Sequence, residues 1–221
     1  MRNHLAVVLL SAECLRLRAA AGDAAAELGD LRKAAERASL LTFELLTAHA
    51  TTAVRVAVDV NEIVAPLVES LGRLAGKHAQ VAFRPSAEPA RAVATPAEVE
   101  RILLNLSLNA LSAMPDGGVL TIDTAIVDHV RDAEILERPE PHVRLRVSDT
   151  GRGMTPEVKA RIFEPFFTTG AHSTGMGLSS VAFTVRQLDG RLFVESEPEA
   201  GTRATVLLPF AASDATRSAA R

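Results

Sequence analysis

The fold is decided by the stretch Val147–Val181, which reads VSDTGRGMTPEVKARIFEPFFTTGAHSTGMGLSSV. Two glycine pairs, Gly151 with Gly153 and Gly175 with Gly177, bracket a segment rich in phenylalanine. Glycine permits positive φ angles and lets a ligand approach the bare backbone. The pairs therefore predict two places where the backbone contacts a ligand, although either pair alone also fits an ordinary loop.

Asp149 stands at the end of an alternating apolar run, Val143, Leu145 and Val147, which predicts a β-strand. A glycine turn follows at once, so the carboxylate can face the floor of a pocket. A carboxylate accepts hydrogen bonds, and adenine carries an exocyclic amine at its six-position where guanine has none. Asp149 is therefore a candidate adenine-reading residue.

The second glycine pair leads directly into a helix. Apolar residues recur there at three- and four-residue steps, namely Leu178, Val181, Ala182, Val185 and Leu188. A glycine-rich turn before a helix offers free N–H groups and the positive end of the helix dipole. This combination predicts a phosphate site.

Asn105 and Asn109 stand four residues apart in ILLNLSLNALSAM, so a helix places both carboxamides on one face. We expect Leu104, Leu108 and Leu111 to supply the apolar face of this helix. Two amides on such a helix need polar partners, and Mg²⁺ bridging phosphates would suit their oxygens. The alternative is that both residues cap loops or bond to neighbouring backbone.

Turn and capping signals place the remaining elements. Thr95-Pro96-Ala97-Glu98 predicts the start of the asparagine-bearing helix, and the turn cluster at residues 114–118 its end. Short strands are expected around the loop between Pro85 and Pro89, over residues 119–126, and as a hairpin turning near Gly201.

Composition excludes several classes of function. The chain has 221 residues, a net charge of −3, one cysteine and neither tryptophan nor tyrosine. These numbers argue against nucleic-acid binding and against a disulfide framework. No apolar run is long enough to span a bilayer, and no signal-peptide pattern is present. We expect a cytoplasmic protein, or the cytoplasmic end of a longer one.

Four motifs in order, NLSLNA, DTGRGM, FEPFF and TGMGL, resemble the N, G1, F and G2 boxes of the ATP-binding domain of sensor histidine kinases. The resemblance covers about Asp59 to Phe210. It implies an α/β (α+β) two-layer sandwich with a mixed sheet, preceded by an antiparallel helical hairpin. It also implies ATP and Mg²⁺ as cofactors, with Asn105 and Asn109 as catalytic, magnesium-binding residues. The residues implied to bind ATP are Asp149, Gly151, Gly153, Met154, Phe166, Phe167, Thr174, Gly175, Met176, Gly177 and Leu178.

The expected domains are a hairpin over residues 1–52, the ATP-binding domain over 53–210, and a disordered tail over 211–221. Apolar stripes run along both helices of the hairpin, so pairing with a second copy in a four-helix bundle would bury them. We therefore expect a homodimer. The alternative is that the hairpin packs on its own ATP-binding domain.

The resemblance also locates the phosphate acceptor. Related kinases carry a motif like H-E-x-R-N-P-L, and this sequence begins Met1-Arg2-Asn3-His4-Leu5. Arg2, Asn3 and Leu5 match, which puts the acceptor histidine two residues before Met1. We expect it to be missing from this sequence, because the sequence is a fragment, starts late or belongs to an acceptor-less protein. His4 as a substitute acceptor is the alternative.

Two departures from the family pattern affect the chemistry. Gly170 and Ser173 occupy lid positions where related kinases carry a lysine and a glycine, and His172 or Arg161 could supply the missing cation. Gyrase-type relatives use a glutamate at the place of Asn105 to activate water, and a carboxamide cannot act as a general base. We also expect Phe163 to pack in the core.

The resemblance implies an ATP-dependent protein-histidine kinase of a two-component system, which passes phosphate to an aspartate of a response-regulator receiver domain. Positioning and charge neutralisation would supply most of the catalysis. One alternative is a degenerate, kinase-like adaptor that docks receiver domains without nucleotide. Another is a stand-alone ATPase of the gyrase type.

Overall fold

The computed structural model describes residues 54–76, 79–127, 141–169 and 175–211. Its described residues from Arg55 onward belong to one compact unit. The expected hairpin, the tail beyond Ala211, and the lid residues Gly170, His172, Ser173 and Thr174 lie outside the described residues, so their predictions stay predictions.

Seven strands and four helices follow one another in the described part of the chain. In chain order they are β1 (Val56–Asp59), α1 (Val60–Ala75), β2 (Ala79–Arg84), β3 (Arg91–Ala94), α2 (Pro96–Ser112), β4 (Gly118–Val127), β5 (His142–Asp149), α3 (Pro156–Lys159), α4 (Gly177–Gln187), β6 (Arg191–Glu197) and β7 (Gly201–Pro209). No helix among these residues is long and apolar enough to cross a membrane.

The main sheet has five strands in the order β2-β4-β5-β7-β6. β2 runs parallel to β4 and the other pairs are antiparallel, so the sheet is mixed as expected. β1 and β3 form a separate antiparallel pair. The pairing of β5 with β7 sets Asp149 opposite Thr202, which matters for the site described below.

One face of the sheet carries the core. Val143, Leu145 and Val147 on β5 are buried, and the residues between them are more exposed. This alternation is the signature of a strand with one buried face. Apolar residues of α1, α2 and α4 pack against that face in a single cluster, which gives the expected two-layer α/β arrangement.

Local capping chemistry fixes the register of α2, as the sequence predicts. Thr95 and Glu98 form a capping box, in which Thr95 Oγ1 accepts from the Glu98 N–H and Glu98 Oε2 accepts from the Thr95 N–H. Such caps satisfy N–H groups that a helix start leaves without partners. The asparagine-bearing helix therefore begins where its sequence dictates.

The expectation that Leu104, Leu108 and Leu111 form the apolar face of α2 is wrong for Leu104 and Leu108, whereas Leu111 packs against the core cluster. Leu104 and Leu108 are exposed and Leu111 is half-buried. Leu104 and Leu108 lie next to Asn105 and Asn109 on the helix surface, so they point away from the core with the amides. The core is instead filled by Val99, Ile102, Leu103, Leu106 and Ala110.

Phe163 is also not a core residue, because it is exposed. It lies in the turns that follow α3, and its neighbour Ile162 is buried instead. The two side chains point in different directions at this turn, so only one of them reaches the interior.

Candidate nucleotide site

A cavity of about 720 Å³ opens between α2, the end of β5, the segment after it and the start of α4. Cavities that bind ligands of nucleotide size span roughly 300–1,000 Å³. Eight of the predicted site residues line it, namely Asn105, Asn109, Asp149, Met154, Phe167, Gly175, Gly177 and Leu178. Motifs distant in sequence are thus brought together around one space.

The cavity has an apolar slot at its sheet end. Side chains of the sheet form one wall, α2 and the residue that follows it contribute small residues, and the segment around α3 forms the facing wall. These residues are Val147, Val194 and Ala204, then Ala110 and Ala113, then Met154, Val158 and Ile162. Small and branched apolar walls suit a flat ring, whose faces bury well against them.

Asp149 supplies the polar group of this slot. Its Oδ1 accepts hydrogen bonds from the Gly151 N–H at 2.8 Å and from the Thr202 N–H at 3.2 Å. The two bonds fix the plane of the carboxylate and leave Oδ2 to a ligand. The carboxylate is therefore held ready to accept from an amine.

Burial raises the pKa of Asp149 above its ordinary value, and the hydrogen bonds from Gly151 and Thr202 act in the opposite direction. A raised folded-state pKa means that the charged carboxylate is partly uncompensated. A donor group on a ligand would satisfy this charge, since it favours the ionised form.

At the opposite end, Asn105 and Asn109 face the first residue of α4. A Cβ atom built on Gly177 would lie 3.3 Å from Asn109 Nδ2 and 3.5 Å from Asn105 Oδ1. The residue before it, Met176, makes no side-chain cap, so the first N–H groups of α4 are left for a ligand. This end of the cavity offers donors and amide oxygens to an anion with its cation.

Asn105 also bonds to neighbouring backbone, which was the alternative to a ligand role. Its Nδ2 donates to the backbone carbonyl of Arg101 at 2.9 Å, one turn earlier in α2. This bond uses the donor side of the amide and turns Oδ1 toward Gly177. Backbone bonding and a ligand role are therefore compatible in this side chain.

The glycines of DTGRG serve contacts inside the protein. A Cβ on Gly151 would lie 2.5 Å from the carbonyl oxygen of Ala113, and one on Gly153 would lie 1.8 Å from that of Glu197. Neither glycine lines the cavity. Their effect on a ligand would be indirect, through the placement of Asp149 and Met154.

Gly175 contacts Phe166, which lies on the other side of the segment over residues 167–174. Its carbonyl accepts from the Phe166 N–H at 3.0 Å, and a Cβ on Gly175 would lie 2.4 Å from the Phe166 carbonyl carbon. Both residues have positive φ angles, 68° for Phe166 and 67° for Gly175. Phe166 and Met176 are half-buried without lining the cavity, and Thr174 lies outside the described residues.

Arg161, one of the two suggested substitutes for the lid lysine, is held by neighbours. Its Nε donates to Glu164 Oε2 at 2.9 Å, and its guanidinium lies 4.2 Å from the ring centre of Phe167. Phe167 in turn lines the cavity. The described contacts therefore give Arg161 a role in holding Phe167.

Several lining residues were missed by sequence reasoning, among them Thr202 and Arg152. Thr202 lies far from Asp149 along the chain, and only the pairing of β5 with β7 joins them. No motif signals such a partner. Arg152 lies between the two glycines of DTGRG, so its position was available from the sequence.

ATP with Mg²⁺ fits the residues present. The apolar slot with Asp149 suits adenine, and the start of α4 suits phosphates. No group of three or more His, Cys, Asp or Glu side chains able to hold a metal occurs among the described residues. A cation here would use the amide oxygens of Asn105 and Asn109 together with phosphate oxygens, which magnesium accepts.

Comparison with known proteins agrees with this geometry. The sensor kinase CckA of Brucella abortus is 31% identical over 214 residues, which are 94% of this chain and 23% of CckA. The sensor histidine kinase ZraS of Salmonella typhi is 31% identical over 218 residues, 96% of this chain and 44% of ZraS. The chain thus spans less than half the length of these relatives.

Two solved structures share the fold. The mycobacterial sensor histidine kinase MprB matches with a TM-score of 0.58 at 22% identity, over 72% of this chain and 100% of the MprB chain. Full-length ShkA, solved in complex with AMPPNP, matches with a TM-score of 0.60 at 26% identity, over 96% of this chain and 44% of ShkA.

The family model described as histidine kinase-, DNA gyrase B- and HSP90-like ATPase matches residues 94–212. That range contains all four motifs and every residue of the candidate site. The chain therefore belongs to this ATPase family and carries an ATPase domain of the histidine-kinase type.

Proposed function

We propose that the chain is the ATP-binding core of a protein-histidine kinase in a two-component system. It binds ATP with Mg²⁺ and transfers the γ-phosphoryl group to a histidine, from which an aspartate of a response-regulator receiver domain takes it. Asn105 and Asn109 hold the cation and the phosphates, and Asp149 holds adenine.

The observation that carries this proposal is the distribution of carboxylates in the cavity. Asp149 is the single carboxylate among the described residues that line it, and it lies at the adenine end. The phosphate end has amides, which cannot take a proton from water. This arrangement favours transfer to a protein nucleophile over hydrolysis.

The partners follow from the same proposal. A histidine acceptor, a receiver domain and a second copy of the chain are proposed from the sensor kinases that it resembles. ATP is a substrate of the cell interior, so we propose that the domain works in the cytoplasm.

Two alternatives give different results. A kinase-like adaptor would bind no nucleotide, and the substitutions at Gly170 and Ser173 favour it. A gyrase-type ATPase would release phosphate steadily without labelling the protein. The well-formed cavity argues against the adaptor. The absence of a general base at position 105 argues against the ATPase.

The test uses a chain extended at its N-terminus so that a histidine stands two positions before Met1. Incubated with radiolabelled ATP and Mg²⁺, this chain should acquire acid-labile phosphate, and adding a receiver domain should remove it. A matched chain with alanine in place of that histidine should stay unlabelled. Steady phosphate release without labelling would contradict the proposal. Strong labelling of the alanine chain that His4→Ala abolishes would instead make His4 the acceptor.

Gly177→Ala should separate folding from nucleotide binding. Gly177 is the first helical residue of α4, and its new Cβ would lie 3.3 Å from the side-chain amide of Asn109, which can shift, so the variant should fold with a stability close to that of the parent. The new methyl group would occupy the space between α4 and the asparagines. We expect ATP affinity to fall about tenfold or more in calorimetry, because a charge-assisted phosphate contact is lost.

Adenosine, which lacks phosphates, provides the control for Gly177→Ala. Its affinity should change little, since Asp149 and the apolar slot are untouched. An equal loss of adenosine and ATP binding would show that the methyl group disturbs the whole cavity.

A further inference from the structure

Arg55 joins two helices at their ends remote from the cavity. Its Nη2 and Nε donate to Glu98 Oε1 at 2.9 and 3.2 Å, and its Nη1 donates to the carbonyl oxygen of Gln187 at 2.6 Å. Glu98 lies in the first turn of α2, and Gln187 is the last residue of α4. One guanidinium therefore bridges the start of α2 and the end of α4.

The charges at this bridge match the dipoles of both helices. A carboxylate is favourable at a helix start, and a cation is favourable beside the last carbonyls of a helix. Burial alone would raise the pKa of Glu98, but hydrogen bonds from Arg55 and Thr95 hold it below its usual value. The carboxylate is therefore charged at neutral pH and available to Arg55.

The bridge lies at one end of the line where α2 meets α4, which we call the α2–α4 seam. Next along it, Arg101 Nη2 donates to Thr184 Oγ1 at 2.8 Å. One turn later within α2, Asn105 Nδ2 donates to the Arg101 carbonyl, and a Cβ built on Gly177 of α4 would lie 3.5 Å from Asn105 Oδ1. The seam thus runs from Arg55 to the phosphate end of the cavity.

We propose that Arg55 is a positioning residue for phosphate binding, which sets the start of α4 relative to the asparagines of α2. The inference rests on the proposed ATP-binding function and adds a residue outside the cavity to it. Asp149 is held separately, by the N–H groups of Gly151 and Thr202, and does not depend on the seam. Arg55 therefore acts on the phosphates and leaves the adenine contacts unchanged.

The experiment compares ATP with adenosine in the full chain. Arg55→Gln should weaken binding of ATP with Mg²⁺ about tenfold in calorimetry, an effect in the range of contact-mediated coupling. Adenosine affinity, followed by NMR titration, should stay within about twofold. Arg73→Gln is the matched control, because Arg73 forms an exposed pair with Glu69 on α1, remote from the seam.

Arg55→Lys tests the geometry of the bridge. A lysine keeps the charge beside Glu98 but lacks the planar fork needed to reach Glu98 and the Gln187 carbonyl together. Its ATP affinity should lie between those of the parent and Arg55→Gln. Thermal unfolding of each variant establishes that titrations are made on folded protein.

Three outcomes would overturn the inference. In the first, ATP and adenosine lose affinity equally, which would make Arg55 a general stabilising residue. In the second, Arg55→Gln binds ATP as the parent does. In the third, the parent binds no ATP, which would overturn the proposed function as well. A further result would separate the two proposals. If the parent binds ATP, and Arg55→Gln weakens ATP binding without changing adenosine binding, the role of Arg55 is supported. If no histidine is labelled in the same protein, only the kinase proposal is contradicted.

Discussion

Replacing Asp149 with asparagine is expected to weaken ATP binding by about 100-fold while the protein stays folded. Oδ1 of Asp149 accepts from two backbone N–H groups, those of Gly151 and Thr202. In the variant the amide oxygen must take this place, which turns the NH₂ group into the cavity. Two donors, this NH₂ and the adenine amine, would then face each other.

The affinity for GTP should increase with the same substitution. The six-position of guanine carries a carbonyl, which can accept from the new NH₂ group. The parent should prefer ATP to GTP in calorimetry, and Asp149→Asn should reduce or reverse that preference. Equal affinity of the parent for both nucleotides, or an unchanged ATP affinity in the variant, would refute the assignment of Asp149.

The stability of Asp149→Asn should not fall with its affinity. Because burial raises the folded-state pKa of Asp149, its contribution to stability is present at low pH and is lost as the pH rises through that pKa. Asparagine has no charge to bury, so at neutral pH the variant should be at least as stable in urea unfolding. Asp189→Asn is the matched control, since Asp189 is exposed at a φ of 54° that asparagine tolerates.

Replacing Gly153 with alanine should be the most damaging change to folding. Gly153 has a φ of 62°, and a Cβ there would lie 1.8 Å from the carbonyl oxygen of Glu197. The left-handed conformation alone costs about 1–2 kcal/mol for alanine. The backbone of the β6–β7 turn must move as well, so we expect a loss above about 4 kcal/mol, against a total stability of roughly 5–15 kcal/mol.

Gly72→Ala is the control, and it should change the free energy of unfolding in the opposite direction. Gly72 lies inside α1, and nothing comes within 4 Å of a Cβ built on it. Alanine should therefore stabilise the protein by about 0.5–1 kcal/mol. Urea unfolding of the two variants measures both effects. A Gly153→Ala variant as stable as the parent would contradict the close approach of Gly153 to Glu197.

Elements that depend on residues close together in the chain could be predicted from the sequence. The capping box of Thr95 and Glu98 sets the start of α2, and the alternation before Asp149 sets β5, because both depend on neighbours within a few residues. The order of the four motifs gave the family. Eight of the site residues chosen from these motifs line one cavity.

Contacts between distant segments could not be predicted from the sequence. Leu104 and Leu108 look like core residues in isolation, and only the packing of α2 on the sheet and on α4 shows which stripe is buried. Thr202 joins Asp149 through a strand pairing that no local pattern encodes. The sequence predicted that the backbone at Gly151 and Gly153 contacts a ligand. In the structure these glycines leave room for the carbonyl oxygens of Ala113 and Glu197.

The hydrogen bond between the Phe166 N–H and the Gly175 carbonyl bears on which changes this chain could tolerate. It holds Phe166 beside Gly175, so the described residues on either side of the segment over 167–174 lie together. Each doubling of its length would then add only about 0.6 kcal/mol of closure entropy. Evolution or an engineer could exchange the segment for one of another length or charge, provided that Phe166 and Gly175 are kept. The positive φ angles of Phe166 and Gly175 would also have to be preserved in such an exchange.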